Sequence, residues 1–300
     1  MFASSPRRAG GYISEEAARS LCAALRRGGC RSVHIGGGEP FLDTEGLVRL
    51  ARIAHDAGIT VEYVETNAFW VKSKSAAAVL EQLMQASVDT LCISIDPFHA
   101  EYVPYERPLQ LAELCERAGM GYFLWRSEFL STLKRLDPSK THTRAEMAGK
   151  LSKDYVKKIA DAYGVGYKGR ALNIELEYTR RAPVEKLLAG GRPCGRLTSG
   201  GHFHADLYGR YVPPGCTGLS LPLDEAISGL PAGKYPVYEA LCANGAEGIL
   251  RYAEERGFKP DPGGYTSACA LCFFIRRWLV ENAPSPELDA EYYQASMEYY

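Results

Sequence analysis

The stretch Gly36-Gly37-Gly38-Glu39-Pro40 lies between an alternating apolar run, residues 31–36, and a helical pattern over residues 43–58. Glycines at a strand end let the backbone approach a ligand closely, although a tight strand-to-helix turn uses the same residues. The next two strand patterns also end in polar residues, Glu65-Thr66-Asn67 and Ser94-Ile95-Asp96. Because an α/β barrel builds its active site from the ends of successive parallel strands, these three groups predict a ligand site.

Strands and helices alternate along the first half of the chain. Periodicity and capping residues predict helices over 14–28, 43–57, 74–86 and 105–118, and strands over 31–36, 59–65, 89–95 and 120–126. Repeats of this length are typical of parallel strands joined by right-handed crossovers. A charged helix over 144–163 and a fifth strand at Ala171–Glu175 are expected to follow. Residues 164–169 spell a dinucleotide fingerprint, but it follows a helix and precedes a strand, so we interpret it as a helix C-cap and loop.

The three polar groups are Gly-Gly-Glu-Pro, Glu-Thr-Asn and Ser-x-Asp, with one helix between successive strand ends, and in this order they resemble radical SAM enzymes. The resemblance covers nearly the whole chain and implies an α/β fold with a partial (β/α)6 TIM-like barrel. In that family a Cys-x3-Cys-x2-Cys loop after the first strand holds a 4Fe-4S cluster. Phe2-Ala3-Ser4-Ser5-Pro6 matches the residues after the third cysteine, and Met1 stands at that cysteine's position. We therefore expect the first strand and all three cluster ligands to be absent, as a mis-assigned start or a partial gene would cause.

The resemblance also implies two cofactors and an activity. In the family, the reduced 4Fe-4S cluster gives one electron to S-adenosylmethionine (SAM), and the resulting 5′-deoxyadenosyl radical abstracts hydrogen from the substrate. A reductant such as flavodoxin or ferredoxin supplies the electron. The substrate is expected to be a small molecule or a peptide, and this chain is expected to be inactive without its cluster loop.

Individual positions take their expected roles from the same resemblance. It places the SAM amino group at Gly36, Gly37 and Gly38 with Glu39, the methionyl or ribose part at Glu65 and Asn67, the ribose hydroxyls at Ser94 and Asp96, and the SAM carboxylate at Arg126. A surface or interface role is an equal alternative for Arg126. His99 follows the third strand and should stand at the barrel mouth, where loops carry function, so it is a candidate catalytic residue.

The second half of the chain differs in composition. After residue 180 glycine, proline and aromatic residues cluster, and five of the nine cysteines occur there. This change predicts a barrel domain over 1–180 and a small, loop-rich metal-cluster domain over 181–300. Cys269 and Cys272 form a Cys-x2-Cys pair before a helix, while Cys194 and Cys216 bracket a strand, a glycine turn and a second strand. This layout is similar to the auxiliary-cluster domains of the SPASM and twitch type.

These four cysteines are the predicted metal ligands. The chain departs from the auxiliary-domain pattern in having six rather than four residues between Gly209 and Cys216, and a single Cys-x2-Cys pair. Both departures favour one 4Fe-4S cluster over two. The spacing also leaves open a zinc site with four cysteine ligands. Cys242 lies on an apolar helix face and is predicted to be a core residue, or the fourth ligand if Cys194 is not.

Composition excludes some classes of function. The formal net charge of −1 argues against a dominant electrostatic attraction to nucleic acid or to a membrane surface. The sequence has no apolar run of the roughly 18 residues that a membrane span needs. Nine cysteines in 300 residues are too dilute for a secreted disulfide scaffold, so we expect a reducing, cytoplasmic location.

The residues leave three kinds of protein open. The first is a radical SAM enzyme with an auxiliary cluster. The second is a non-catalytic, zinc- or cluster-stabilised binding protein on a degenerate barrel. The third is an ordinary barrel isomerase or aldolase in which Glu39, Glu65 and Asp96 act as acids and bases.

Overall fold

The computed structural model describes residues 11–72, 75–162, 164, 169–195, 197 and 202–297. The chain divides into two compact units, one of Tyr12–Ile159 and one that contains Ala160–Tyr300. This division lies between residues 159 and 160, and the sequence-based domain boundary is at 180.

The first unit combines a parallel sheet with helices. Its elements are α1 (Glu15–Arg27), β1 (Ser32–Ile35), α2 (Thr44–Asp56), β2 (Thr60–Thr66), α3 (Ser75–Gln85), β3 (Thr90–Ser94), α4 (Glu106–Ala118), β4 (Gly121–Trp125), α5 (Leu130–Leu133) and α6 (Arg144–Lys150), followed by α7 (Tyr155–Ala162). Strands β1 to β4 are parallel and pair in the order of the chain. The α/β fold class is therefore confirmed.

The eight strands and helices predicted up to residue 126 are present to within one residue at each end, and local sequence explains their limits. Ser14 caps α1 by accepting a hydrogen bond from Ala17 N (3.1 Å), and Asp43 caps α2 by accepting one from Gly46 N (2.8 Å). Gly119 ends α4 with a φ of 72°, in the left-handed region that glycine adopts without strain.

The two faces of the sheet carry different residues. Val64, Leu91 and Ile93 are completely buried, as expected where helices cover a sheet. The alternate positions form the opposite face and bring side chains from β1, β2 and β4 together. There His34 stacks on Tyr63 with ring centroids 4.9 Å apart, and Tyr63 meets the edge of Phe123 at 5.2 Å.

The second unit is mostly helical. Its elements are α8 (Leu172–Tyr178), α9 (Val184–Leu188), β5 (His204–Ala205), β6 (Arg210–Val212), β7 (Leu221–Pro222), α10 (Leu223–Ser228), α11 (Pro236–Glu254), α12 (Ala268–Asn282) and α13 (Ala290–Met297). The three short strands form an antiparallel sheet. Helices α11 and α12 supply much of the core, and Ile249 and Ile275 are completely buried.

Two sequence predictions in the middle of the chain are wrong. The segment predicted as a fifth strand, Ala171–Glu175, lies in a 3-10 turn and in α8. Leu172 and Glu175 are both buried three residues apart, which a helix places on one face. The single helix predicted over 144–163 is two helices, α6 and α7, because residues 151–154 include a serine and an aspartate that favour turns over helix.

Some sequence predictions fall on residues that the structure does not describe. The Phe2–Pro6 match lies outside the described residues, and so does most of the 164–169 fingerprint. Within the part of the chain that is described, no helix is both long and apolar enough to span a membrane.

Candidate functional site

The first polar cluster lies where β1 and β2 end. The Glu39 carboxylate accepts hydrogen bonds from Phe41 N (3.2 Å), Thr66 Oγ1 (2.9 Å) and Asn67 N (2.7 Å). Burial raises the pKa of Glu39 above its ordinary value, although the three hydrogen bonds oppose the rise. Since both carboxylate oxygens already accept hydrogen bonds from this chain, Glu39 braces the ends of two neighbouring strands.

A second carboxylate, at the end of β3, is paired with a histidine. Asp96 is buried, and its Oδ1 accepts from the backbone N–H groups of Phe98 and His99, each at 2.9 Å. Asp96 Oδ2 lies 2.6 Å from His99 Nδ1, and the His99 side chain is 43% exposed. This geometry directs Nδ1 to the carboxylate and leaves Nε2 as the ring nitrogen that can meet a ligand.

Each member of this pair shifts the pKa of the other. Burial raises the pKa of Asp96, but the charge and hydrogen bonds of His99 outweigh burial and hold the pKa below its usual range. Burial likewise lowers the pKa of His99, and the charge and hydrogen bond of Asp96 outweigh it, so the pKa lies above the ordinary value. The Glu39 carboxylate raises the pKa of His99 further, so the two polar groups act on each other.

The glycines between β1 and α2 leave exposed backbone beside this cluster. The Oε2 atom of Glu65 lies 2.7 Å from where a Cβ of Gly36 would be, so a side chain at this position would have to displace that carboxylate. Gly37 has a φ of 120°, which other residues rarely adopt. Gly38 faces open space, because a Cβ built on it would meet no atom within 4 Å. A ligand can therefore approach the backbone at Gly38.

The remaining predicted residues of this site lie at strand ends. Ser94 is half-buried and is the last residue of β3. Asn67 follows β2, and its side chain accepts a hydrogen bond from Phe69 N at 2.9 Å. Arg126 follows β4 with a φ of 61°, is exposed, and holds its guanidinium 5.7 Å from the centroid of the Trp125 ring.

Sequence reasoning missed the aromatic and histidine side chains on the face of the sheet that also carries Glu65 and Ser94. Strand pairing aligns Glu65 with Cys92 and Ser94 with Trp125, so these residues share the face of the His34, Tyr63 and Phe123 rings. Trp125 is 48% exposed, which is unusual for a tryptophan in a sheet. The signal was present in the sequence, because these residues alternate along their strands with aliphatic residues such as Ile35, Val64 and Leu124.

The second unit brings the predicted cysteine ligands into one neighbourhood. Cys272 is buried near the start of α12, and burial raises its pKa to about 12. The thiols of Cys216, Cys269 and Cys194 raise that pKa as well, and Cys194 and Cys216 pack against the same hydrophobic core as Cys272. Among the described residues, no three cysteine thiols lie close enough together to hold a single metal ion.

A kink in α11 lets the Cys194 segment approach that helix. Gly245 has a φ of 58°, and a Cβ there would lie 2.3 Å from the carbonyl oxygen of Arg192. Cys194 N donates to Leu241 O at 3.0 Å, which fixes the segment against the helix. Cys242, on the same helix, has its pKa raised by burial and further raised by the Cys194 thiol, while a hydrogen bond to Tyr238 lowers it. Cys242 and Cys194 pack against the same hydrophobic core, and the structure does not decide between them as ligands.

The cysteine cluster also contains an arginine that the sequence analysis did not single out. Arg276 is buried on α12, one helical turn after Cys272. Its Nη1 atom lies 3.6 Å from Cys216 Sγ, and its charge opposes the rise in the pKa of Cys272. The sequence did not indicate which arginine belongs to the cluster, because Arg276 and Arg277 are adjacent and only packing distinguishes them.

Comparisons with other proteins name no family for the chain. No protein-family model matches it, and no curated protein matches it either. The function is therefore inferred from the geometry of the polar strand ends in the first unit and of the cysteine cluster in the second.

Proposed function

We propose that this chain is a radical SAM-type protein. The proposal gives it a SAM site at the carboxyl ends of β1 to β3 and a metal–thiolate centre in the second unit. The observation that carries it is the meeting of the three motifs, at 36–40, 65–67 and 94–96, at one edge of one parallel sheet. Open α/β sheets and barrels both bind ligands at that edge.

The strand order supports the finer proposal of a partial barrel. Each strand pairs with the next in the chain, β1 to β4, with one helix in every crossover. Right-handed crossovers that always advance in one direction put all the helices on one face of the sheet. The other face, which bears His34, Tyr63 and Trp125, would then line the inside of the barrel.

The residues present fit SAM, with some roles revised. The exposed backbone at Gly38 suits the polar methionyl end, and Ser94 suits the ribose hydroxyls. Glu39 and Asp96 are satisfied within the chain, so we propose that Glu39 positions the glycine loop and that Asp96 orients His99. His99 Nε2 is then the group that meets ligand or substrate.

The cysteine cluster fits a polynuclear site better than a single ion. The thiols of Cys194, Cys216 and Cys269 each act electrostatically on Cys272, yet no three thiols in the described chain suit one ion. The sulfur atoms around a 4Fe-4S cube lie farther apart than those around one zinc ion. Iron–sulfur is therefore the proposed occupant, with zinc as the competing outcome.

Bound SAM, when it is reduced by a cluster, supplies a 5′-deoxyadenosyl radical for hydrogen abstraction from a small molecule or peptide. The protein's part is to orient SAM and keep water out. The sequence holds no Cys-x3-Cys-x2-Cys run. We therefore propose that this chain binds SAM without cleaving it, even with a reductant such as flavodoxin or ferredoxin.

The Asp96–His99 pair supports a second candidate, an acid–base barrel enzyme. A histidine oriented through Nδ1 by a buried carboxylate is the usual form of a general base. In this alternative the glycine loop would bind the substrate's polar head and SAM would not bind.

The test is SAM binding, measured by equilibrium dialysis on the full chain. Gly38→Val adds a side chain where the structure has open space, so the fold should tolerate it while ligand approach is blocked. The matched control is Gly149→Val on α6, where an added Cβ also meets nothing within 4 Å. We expect SAM to bind the wild type and the control, and to bind Gly38→Val at least tenfold more weakly.

Two results would count against the proposal. Failure of the wild type to bind SAM would leave the acid–base candidate. If Gly38→Val bound SAM as tightly as the wild type, the SAM site would not include the glycine loop. Dithionite and SAM should yield no 5′-deoxyadenosine from this chain, and stoichiometric product would show that the cluster has other ligands.

A further inference from the structure

Arg276 is a buried cation inside the cysteine cluster. The residue is 5% exposed. Its Nη1 donates to Thr217 O at 2.8 Å and lies 3.6 Å from Cys216 Sγ, and its Nε donates to Cys272 O at 3.3 Å. The guanidinium carbon lies 5.8 Å from the centroid of the Tyr293 ring. The side chain is therefore held by neutral carbonyls, an aromatic face and cysteine sulfur.

No carboxylate of the described second unit balances this charge. The two buried glutamates there have other partners. Glu175 accepts from Thr266 Oγ1 at 2.8 Å, and Glu287 accepts from Val237 N at 2.7 Å, at the start of α11. The groups able to become negative that act on Arg276 are the hydroxyls of Tyr293 and Tyr292 and the thiols of Cys216 and Cys272.

An unbalanced buried charge is one of the most destabilising features a protein can have. Neutral thiols do not balance a guanidinium, whereas thiolates do. Thiolates are the form in which cysteine binds a metal. The position of Arg276 is thus explained if the neighbouring cysteines are deprotonated and metal-bound in the working protein.

We propose that Arg276 is the built-in counter-charge of the metal–thiolate centre. This inference rests on the proposed auxiliary site, and it assigns to Arg276 a positioning and charge-balancing role. Four thiolates around Zn²⁺, or around an oxidised 4Fe-4S core, leave a net charge of about −2. The fixed cation offsets part of that charge in either case. Around iron–sulfur it also favours the reduced form, because cluster potentials depend on nearby charge and on hydrogen bonds to sulfur.

The test separates charge balance from simple packing. The variants are Arg276→Met, Arg276→Lys and the neighbouring control Arg277→Met; Arg277 is half-exposed and lies 3.7 Å from Glu281. The full chain is purified without oxygen, its iron and zinc are measured, and the metal is then removed with a chelator. Rates of metal release and melting temperatures are recorded for the loaded and the metal-free forms.

We expect Arg276→Met to affect the melting temperature differently in the loaded and the metal-free forms. In the loaded form, Arg276→Met should lower the melting temperature and release metal about tenfold faster or more, as loss of an outer-shell partner does. In the metal-free form it should melt at the wild-type temperature or above, because an unbalanced cation has been removed. Arg276→Lys keeps the charge but loses the planar fork, so its metal release should be intermediate. Arg277→Met should behave like the wild type in both forms.

Two different failures can be distinguished. Absence of both iron and zinc from the wild type would overturn the metal site itself. If the wild type holds metal, equal destabilisation of Arg276→Met with and without metal, or an unchanged release rate, would overturn the role of Arg276 alone. For an iron-loaded protein, a reduction potential in Arg276→Met that is not lower than that of the wild type would also contradict the proposal.

Discussion

The two polar clusters of this protein differ in how their buried charges are balanced. At the strand ends of the first unit, Glu39 and Asp96 find all their hydrogen-bond donors within the chain. In the second unit, Arg276 is buried with its Nη1 atom 3.6 Å from Cys216 Sγ, and no described carboxylate balances the cation. The first cluster is complete within the chain, and on our proposal the second is completed by a bound metal.

This difference separates two ways of organising a site. A preformed hydrogen-bonded cluster adds to the stability of its unit with or without ligand. A cluster of thiols around a buried cation adds to stability only when it is occupied, because binding supplies the missing charge and much of the folding free energy. The predictions below test that contrast by perturbing each cluster in turn.

The largest effect is expected from loss of the proposed metal in the second unit. Cys272→Ser removes a buried ligand, so we expect the metal content to fall and the second unit to lose several kcal/mol of stability, about 3 or more. Limited proteolysis should then cut within 180–297 while 12–159 stays protected. The control is Cys30→Ser in the first unit, where the side chain donates to Ser32 O and serine can keep that bond. If both units of Cys272→Ser resisted proteolysis equally, the proposed contrast between the two clusters would be wrong.

The next effect concerns the brace between β1 and β2. Glu39→Ala leaves the donors at Thr66 and Asn67 without their acceptor, so the free energy of unfolding should fall by about 2–3 kcal/mol. Glu39→Gln keeps an acceptor and should lose less. The control Glu45→Gln alters a carboxylate that is 93% exposed on α2 and should change stability little. Denaturant unfolding measures all three, and a Glu39→Ala value close to that of the control would show that the strand ends do not depend on Glu39.

The periodic part of the first unit could be predicted because its signals are local. Ser14 and Asp43 cap helices. Because the ends of parallel strands lie at one edge of a sheet, it could also be predicted that 36–40, 65–67 and 94–96 meet. The fifth strand could not be distinguished from a helix, since Leu172 and Leu176 fit both periods and Glu175 bonds to Thr266, 91 residues away. The hydrogen-bond partners of Glu39 could not be predicted either, because they lie 27 and 28 residues away in the sequence.

The charged residues of the second unit illustrate the same limit. Arg276 and Arg277 are neighbours of identical chemistry, and the face of α12 that packs inward determines which one is buried. The cysteines could be proposed as a group because their chemistry is rare and their spacing is informative. The balancing cation could not, because arginine is common and its meaning depends on burial.

A smaller effect should follow from straightening the kink of α11. Gly245→Ala places a Cβ 2.3 Å from Arg192 O, so the Cys194 segment must move, at about 2 kcal/mol and with loss of bound metal. Gly257→Ala is a control that also lies at positive φ but has no clash, since its φ is 98° and nothing lies within 4 Å of the added Cβ. Metal content should fall only in Gly245→Ala. An equal content in both variants would show that Cys194 is not a ligand and would favour Cys242.

The smallest effect is the pH dependence of the Asp96–His99 pair. The pKa of His99 is raised in the folded protein, so its contribution to stability is complete below the unfolded value of 6.5 and is lost as the pH rises through the folded value. The pKa of Asp96 is lowered, so its contribution is present above the unfolded value of 3.8 and is lost as the pH falls through the folded value. The stability advantage of the wild type over His99→Gln should therefore be greatest between these two values. We expect about 1 kcal/mol there, since the His99 side chain is 43% exposed and solvent screens the pair.

Chemical unfolding at a series of pH values measures this difference, with exposed His55→Gln as the control. If the wild-type and His99→Gln curves run parallel from pH 4 to pH 8, the ion pair does not contribute to the preformed cluster, and the contrast between the two clusters rests on Glu39 alone.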